Sequence, residues 1–396
     1  MLIAWELGGG YGHLMKLRTL ARALAAAGHR VTLALKTPAA AREVLAREEP
    51  FRRVQAPVVG GRRAPMPLSV SYGEVLIRVG WLDAAALTRA VGAWRDLYAR
   101  VRPDVLVLNH APTAWLAGSG LPAPRVLCGS GFECPEPRSA TPVFRPWVRM
   151  ERARLADGEA RLLESVNRAL GAHRLPPLAS LADLLQCDRR LLCTYPELDP
   201  YAPLRPTARY RGDIGDTGHL TGPAVGDGDA AQVFVYLSGR TRGLSPLLEA
   251  LAGSGQSVLL HVPGLPPELQ ERFSGSAMTF SARPVDLQQA ARHARLAVCN
   301  GGHGTVSAFL CAGCPLLVVP GHVEQWLNAR LLEQHGLGVA VDGAGPTAFA
   351  GALERLSADR DCRRRAQGFS RRCRDTPPAT ELASMVAEIA ALAGTG

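Results

Sequence analysis

The sequence predicts an α/β protein of two doubly wound halves, each a parallel sheet flanked by helices. Three observations carry this expectation. A strand, glycine turn, helix and strand open the chain, the same alternation restarts near residue 231, and a stretch without periodicity separates the two. At 396 residues the chain is also too long for one ordinary core.

Residues 2–7 are apolar apart from Glu6 and read as the first strand, with a glycine turn at 8–12. Leu14, Leu17, Leu20 and Leu24 then recur at helical spacing, Gly28 ends the helix, and 31–35 form the next strand. That is a βαβ unit with parallel strands. Residues 105–108 follow a helical stretch ending near Arg102, and 125–128 read as a parallel neighbour. Between Pro200 and Ala231 proline, glycine and aspartate dominate, which marks a linker. Beyond it come strands at 233–237, 257–262, 296–299 and 316–319, a helix at 246–252, and a last helix at about 379–392. The expected division is an N-terminal domain at 1–212, a linker at 213–230 and a C-terminal domain at 231–375, with the terminal segment 376–396 packing back on the first domain. Two Rossmann-like domains facing each other across a cleft are expected, with ligands at the C-terminal ends of the strands.

The net charge of +10 does not point to nucleic acid. Lys16 and Lys36 are the only lysines, the arginines are spread out except between Arg360 and Arg374, and no aromatic residues interleave that cluster. A solvated helix face explains it. No apolar run reaches the roughly 18–20 residues of a membrane span, and the N-terminus lacks the basic lead of a signal peptide. A cytoplasmic protein is expected. The nine cysteines are scattered, and no second pair or histidine cluster completes a metal site around Cys311 and Cys314, so packing is the expected role of that pair.

Two glycine turns follow strands and open helices. The first, Gly8 to His13, fails the dinucleotide fingerprint, because His13 stands at the third glycine and Lys36-Thr37-Pro38 replaces the ribose-binding acid. It places His13 at a helix start, where a near-neutral pKa and the positive helix end suit a general base, with capping or packing as the alternative. The second, Asn300-Gly301-Gly302-His303-Gly304-Thr305, offers free helix-start N–H groups and a hydroxyl to a diphosphate. Twenty residues on, Glu324-Gln325 pairs a carboxylate with an amide, a combination that can grip vicinal sugar hydroxyls.

These segments, with 312–320, Asn328-Ala329, Gly12-His13 and 28–32, resemble the GT-B glycosyltransferases, above all the bacterial UDP-glycosyltransferase (family 1) group, and the resemblance covers nearly the whole chain. It implies an inverting transfer, with His13 taking the proton of an acceptor hydroxyl. Asn109 falls near the position of the aspartate that orients this histidine. The resemblance further implies that Asn300, Gly302, His303, Gly304 and Thr305 hold the diphosphate of a UDP- or TDP-sugar, assisted by Ser238 to Thr241 with Arg240 as a charge partner. Glu324 and Gln325 would grip the sugar, and the backbone from Arg283 to Val285 would read the base.

The chain departs from the family in several places. Asn300 stands where a phosphate-binding histidine is common, Ala282 where plant enzymes stack the base on tryptophan, and Ala308 where they bind ribose with glutamate. Asn109 lacks the charge to stabilise an imidazolium, and Asp104 lies roughly 16 Å back along its strand. His110 is a neighbouring candidate for acceptor contact, or simply a strand-end residue. The acceptor, a small molecule or a lipid, is expected on 72–82 and 131–147, and contact with a membrane surface through Arg62, Arg63 and the Trp81 region is compatible with this. Neither a cofactor nor an obligatory metal is expected; Asp227-Gly-Asp229 and Asp359-Arg-Asp361 read as solvated acids. The alternatives are a nucleotide-sugar 2-epimerase, for which Glu6 and Glu133 are the nearest strand-end acids, and a non-catalytic nucleotide-sugar-binding scaffold.

Overall fold

The computed structural model describes the chain except for residues 10, 42–44, 46–47, 61–68, 139–140, 217–231, 343–344 and 395–396. Gly10 of the first turn, most of the expected linker, Arg62, Arg63, Asp227 and Asp229 lie outside the described residues. The chain divides into two compact units, one comprising Met1–Ile214 with Pro378–Gly396 and the other Gly215–Pro377.

The N-terminal unit runs β1 (Leu2–Trp5), α1 (Tyr11–Ala26), β2 (Thr32–Leu35), α2 (Pro38–Ala41), β3 (Arg52–Gln55), α3 (Tyr72–Arg78), α4 (Ala84–Val101), β4 (Leu106–Asn109), α5 (Pro112–Ala117), β5 (Arg125–Gly129), α6 (Arg152–Ala172) and β6 (Arg189–Leu192). The C-terminal unit runs β7 (Val233–Tyr236), α7 (Leu244–Gly253), β8 (Val258–His261), α8 (Pro267–Arg272), β9 (Met278–Phe280), α9 (Leu287–His293), β10 (Leu296–Cys299), α10 (His303–Cys311), β11 (Leu316–Val318), α11 (Val323–His335), β12 (Gly338–Ala340), α12 (Pro346–Ala358) and α13 (Arg360–Asp375). The last helix, α14 (Pro378–Ala393), belongs to the N-terminal unit. Its Glu381 and Glu388 take Arg211 at 2.9 and 2.6 Å.

Both sheets are six-stranded and parallel, in the orders β3-β2-β1-β4-β5-β6 and β12-β11-β10-β7-β8-β9. Counted within its own unit, each sheet has the strand order 3-2-1-4-5-6. The order reverses between β1 and β4 in one unit and between β7 and β10 in the other, and such a reversal opens a crevice at the strands' C-terminal ends. The central strands are buried from end to end, which is why they read as unbroken apolar runs. The edge strand β3, Arg52-Arg53-Val54-Gln55, is exposed at both ends and only half-buried between, and it carries no such run, so its sequence gives little signal.

Three expectations need correction. Trp81 is fully buried in the N-terminal core, so it presents no ring to a membrane. Cys311 is bonded to Cys373 rather than packed as a free thiol, while Cys314 is free and buried. Asp359 is not merely a solvated acid: it caps α13, accepting from the N–H groups of Asp361 and Cys362, each at 2.9 Å. Among the described residues no group of acids, histidines and cysteines could hold a metal, and no helix is long and apolar enough to cross a membrane.

Candidate active site

The crevice of the N-terminal unit is built around His13, the third residue of α1, which is 5% exposed. Its Nδ1 lies 2.8 Å from Asn109 Oδ1 and 3.3 Å from Glu133 Oε1. The neighbours fix the direction of these bonds. Asn109 Nδ2 donates to Cys128 O at 2.7 Å and to Glu133 Oε2 at 2.8 Å, so the amide oxygen must be the atom facing the ring. Nδ1 therefore carries the proton, and the neutral ring presents Nε2 as an acceptor. That nitrogen makes no hydrogen bond among the described residues and is not sealed from solvent.

Glu133 supplies the charge that Asn109 lacks. Its carboxylate accepts from Ser130 N at 2.7 Å and stands 3.9 Å from the buried Lys16 ammonium. Burial alone pushes Glu133 up, but the Lys16 ammonium, joined by His13 and His110 once acid protonates them, outweighs it and holds the carboxyl well below its ordinary range. Burial is the largest influence on Lys16 and lowers its pKa, yet Glu133 and, after it, Asp213 and the nearby thiols together outweigh burial, and the ammonium stays charged. For His13 burial is the largest influence and the net shift is downward, against the upward pull of Glu133 and Asn109. The ring is thus neutral at physiological pH, with a carboxylate in place to stabilise its protonated form.

Glycines make room for this cluster. Gly8 has φ +87°, and a Cβ there would stand 2.4 Å from His13 Nε2. At Gly129 a Cβ would meet Glu133 Oε2 at 2.2 Å and Asn109 Nδ2 at 2.9 Å. The loop carrying Glu133 is clamped by Arg205, which donates to Gly131 O and Cys134 O and forms a two-pronged pair with Asp199 at 2.6 Å on each prong. Sequence reasoning set Glu133 aside as a rival's acid; its signal was a third glycine turn after a strand, Gly129-Ser130-Gly131, ending on an acid. Glu6, the other acid named for that rival, is buried and spent on the first backbone N–H groups of α5, at Thr113 and Ala114, with its pKa raised by burial to about 8.

His110 follows β4 with φ 44°. Its ring lies 6.3 Å from that of His13, 6.1 Å from Tyr72 and 5.6 Å from Phe132, and Phe132 in turn meets Phe144 at 5.5 Å. Burial drives its pKa down to about 3, so it is a neutral group among aromatic rings. Tyr72, Phe132 and Phe144 all come from the two segments expected to take an acceptor.

The crevice of the C-terminal unit is made of backbone. Gly301 has φ +87°, and a Cβ there would stand 2.7 Å from Val318 Cγ1; Asn328 Nδ2 donates to its carbonyl at 2.8 Å. Gly302 precedes α10 with no side-chain cap, and a Cβ there would meet nothing within 4 Å. The N–H groups of His303, Gly304 and Thr305 open a nine-residue helix, which leaves them without intrahelical carbonyls. Asn300 faces inward: its amide donates to Val319 O at 2.8 Å and Thr241 Oγ1 at 3.1 Å and accepts from Ser238 N at 3.0 Å. It ties the loops after β7, β10 and β11 together. Ser238 Oγ accepts from Arg240 N at 3.2 Å, and the exposed Arg240 side chain has no ionic partner among the described residues. Gln325 folds back to accept from Gly321 N at 2.8 Å, and Glu324 is half-buried beside it in the first turn of α11. The Arg283 carbonyl accepts from Ser281 Oγ at 2.7 Å, and Val285 is buried just before α9. The donor residues named from sequence thus gather on the loops after β7, β9, β10 and β11.

Two Rossmann-like units of this topology define the GT-B fold, and solved structures agree along the whole chain. The spinosyn rhamnosyltransferase SpnG matches with a TM-score of 0.68 at 22% identity, covering 98% of this chain and 100% of that one. The glycosyltransferase VinC, solved in complex with dTDP, matches at 0.67 and 16%, covering all of both chains. Residues 260–348 match the family model "Glycosyltransferase family 28 C-terminal domain". A PGL/p-HBAD biosynthesis glycosyltransferase of Mycobacterium tuberculosis is 27% identical over 296 residues, 68% of this chain and 67% of that protein. The chain has the GT-B fold, and the family model and the relatives it matches are glycosyltransferases.

Proposed function

We propose that the protein transfers a sugar, with inversion and without an obligatory metal, from a UDP- or TDP-sugar to a hydroxyl of a small-molecule or lipid acceptor. The observation that carries this reading is His13, neutral and with Nε2 open, its Nδ1–H shared by Asn109 and the Glu133 carboxylate. In the transfer the acceptor hydroxyl gives its proton to Nε2 while its oxygen bonds to the anomeric carbon. The bond from that carbon to the diphosphate oxygen breaks on the opposite face, and the electron pair leaves with the nucleotide. Glu133 stabilises the imidazolium that forms. The leaving diphosphate is stabilised by the first N–H groups of α10 and by Arg240, charge-complementary groups that do the work a metal does elsewhere. Glu324 is placed for the sugar hydroxyls, and Gln325 joins it once its bond to Gly321 opens. The dTDP in VinC and the aglycone in a second SpnG structure support donor and acceptor classes of this kind. An epimerase draws no support from Glu6, which is occupied at α5.

The test is calorimetry with UDP, TDP and their sugars, followed by NMR of the product's anomeric centre. Diphosphate-dependent binding and an inverted linkage are expected. Absence of nucleotide binding at high micromolar concentration would falsify the reading, and a retained configuration would refute the single displacement.

A further inference from the structure

Four arginines are buried among the described residues, and three have acids. Arg18 pairs with Glu49 at 2.7 Å, Arg205 with Asp199 at 2.6 Å, and Arg211 with Glu381 and Glu388. Arg145 has none. It is 5% exposed, its Nε is sealed from solvent without a hydrogen-bond partner, and its terminal nitrogens carry what exposure remains. Burial and the like charge of Arg78, at the end of α3, both push its guanidinium below the ordinary arginine range. A desolvated guanidinium beside another cation is costly unless an anion arrives to neutralise it.

The surroundings suit such an arrival. Residues 69–72 pair antiparallel with 142–145: Phe144 N donates to Val70 O at 3.0 Å, Tyr72 N to Pro142 O at 3.3 Å, and Ser71 bridges Val143. That register sets Ser69 opposite Arg145, and Ser69 Oγ is likewise buried without a partner. The same ladder leads into Tyr72, whose ring is next to His110 and so one ring removed from His13.

We propose that Arg145, with Arg78 and the Ser69 hydroxyl, forms an oxyanion subsite in the N-terminal unit that takes a carboxylate carried by the acceptor. This rests on the transferase reading for the word acceptor, but not for the anion. Arg145 orients the acceptor through a planar two-pronged contact, leaving the hydroxyl at the far end of the molecule for His13.

The test compares 4-hydroxybenzoate, its methyl ester and inorganic phosphate by calorimetry on the full chain. The acid is expected to bind about ten-fold more tightly than the ester. Arg145→Gln should bring the two within about two-fold, Arg78→Gln should weaken the acid by about three-fold, and Arg145→Lys should restore part of the preference. Because no native pair is broken, Arg145→Gln should keep or raise Tm. Equal binding of acid and ester by the native chain, a preference that survives in Arg145→Gln, or a lowered Tm with both ligands lost would overturn the proposal. Phosphate bound through Arg145 while the acid is ignored would overturn the acceptor assignment. Donor hydrolysis is followed in parallel: its absence alongside Arg145-dependent carboxylate binding refutes the transferase reading alone.

Discussion

The two units share one strand order, one reversal point and even one residue type at it, for Asn109 ends β4 and Asn300 follows β10. They use the crevice in opposite ways. In the N-terminal unit Asn109 joins two side chains, His13 and Glu133, and charge is concentrated and buried: His13, Glu133 and Lys16 are each at most 6% exposed. In the C-terminal unit Asn300 is spent on neighbouring loops, and the ligand is offered backbone N–H groups and an exposed arginine. On the proposed reading, the difference follows from what each unit would handle. A base has to be kept neutral until it receives a proton, which calls for burial and a poised counter-charge. A diphosphate arrives fully charged and is best met by fixed dipoles.

The contrast breaks most visibly at the base. His13→Ala should lower kcat by about 10³-fold while leaving nucleotide affinity unchanged, read from steady-state kinetics beside calorimetry. A similar loss of both would deny the division of labour. Next in size, Glu133→Gln should cost about 10²-fold in kcat. His13 in the native chain needs to be neutral, and its pKa is lowered, so the acidic limb of the rate profile should lie below the ordinary histidine value. Removing the Glu133 charge removes an upward pull and should move that limb further down. Asn109→Asp sharpens the same point: two carboxylates would then share one site, so activity should fall by about ten-fold and not recover toward a two-residue dyad.

In the other unit, Gly302→Asp should weaken nucleotide diphosphates by at least about 30-fold through like charge at the helix start, with Tm unchanged because a side chain there meets nothing. The smallest effect is expected from Asn300→Ala. It should cost about 1–3 kcal/mol of stability by leaving Ser238 N and the Val319 carbonyl unpaired, and only a few-fold in donor affinity. A loss of donor binding without loss of Tm would return Asn300 to the ligand.

Much of this was legible in the sequence, because the signals were local. Leu14, Leu17, Leu20 and Leu24 declared α1, unbroken apolar runs declared the central strands, and glycine turns after strands pointed to the loops on which the candidate site residues gather. Asn109 was named through the family resemblance, which sets it near the position of the aspartate that orients the histidine. What stayed illegible depends on contacts between distant segments. Glu133 reaches His13 across 120 positions, through a loop held by Arg205 and admitted by Gly129, and no spacing rule encodes that approach. The inward orientation of the Asn300 amide was equally hidden, since a side chain of either orientation reads the same. Periodicity and turn chemistry act over a few residues, and they determined the two α/β halves and their motifs. The charge on the base, the occupation of Asn300 and the lone buried Arg145 are properties of what surrounds a group in space. Desolvation and pairing exist only after the chain has closed on itself, and there the tertiary structure decided.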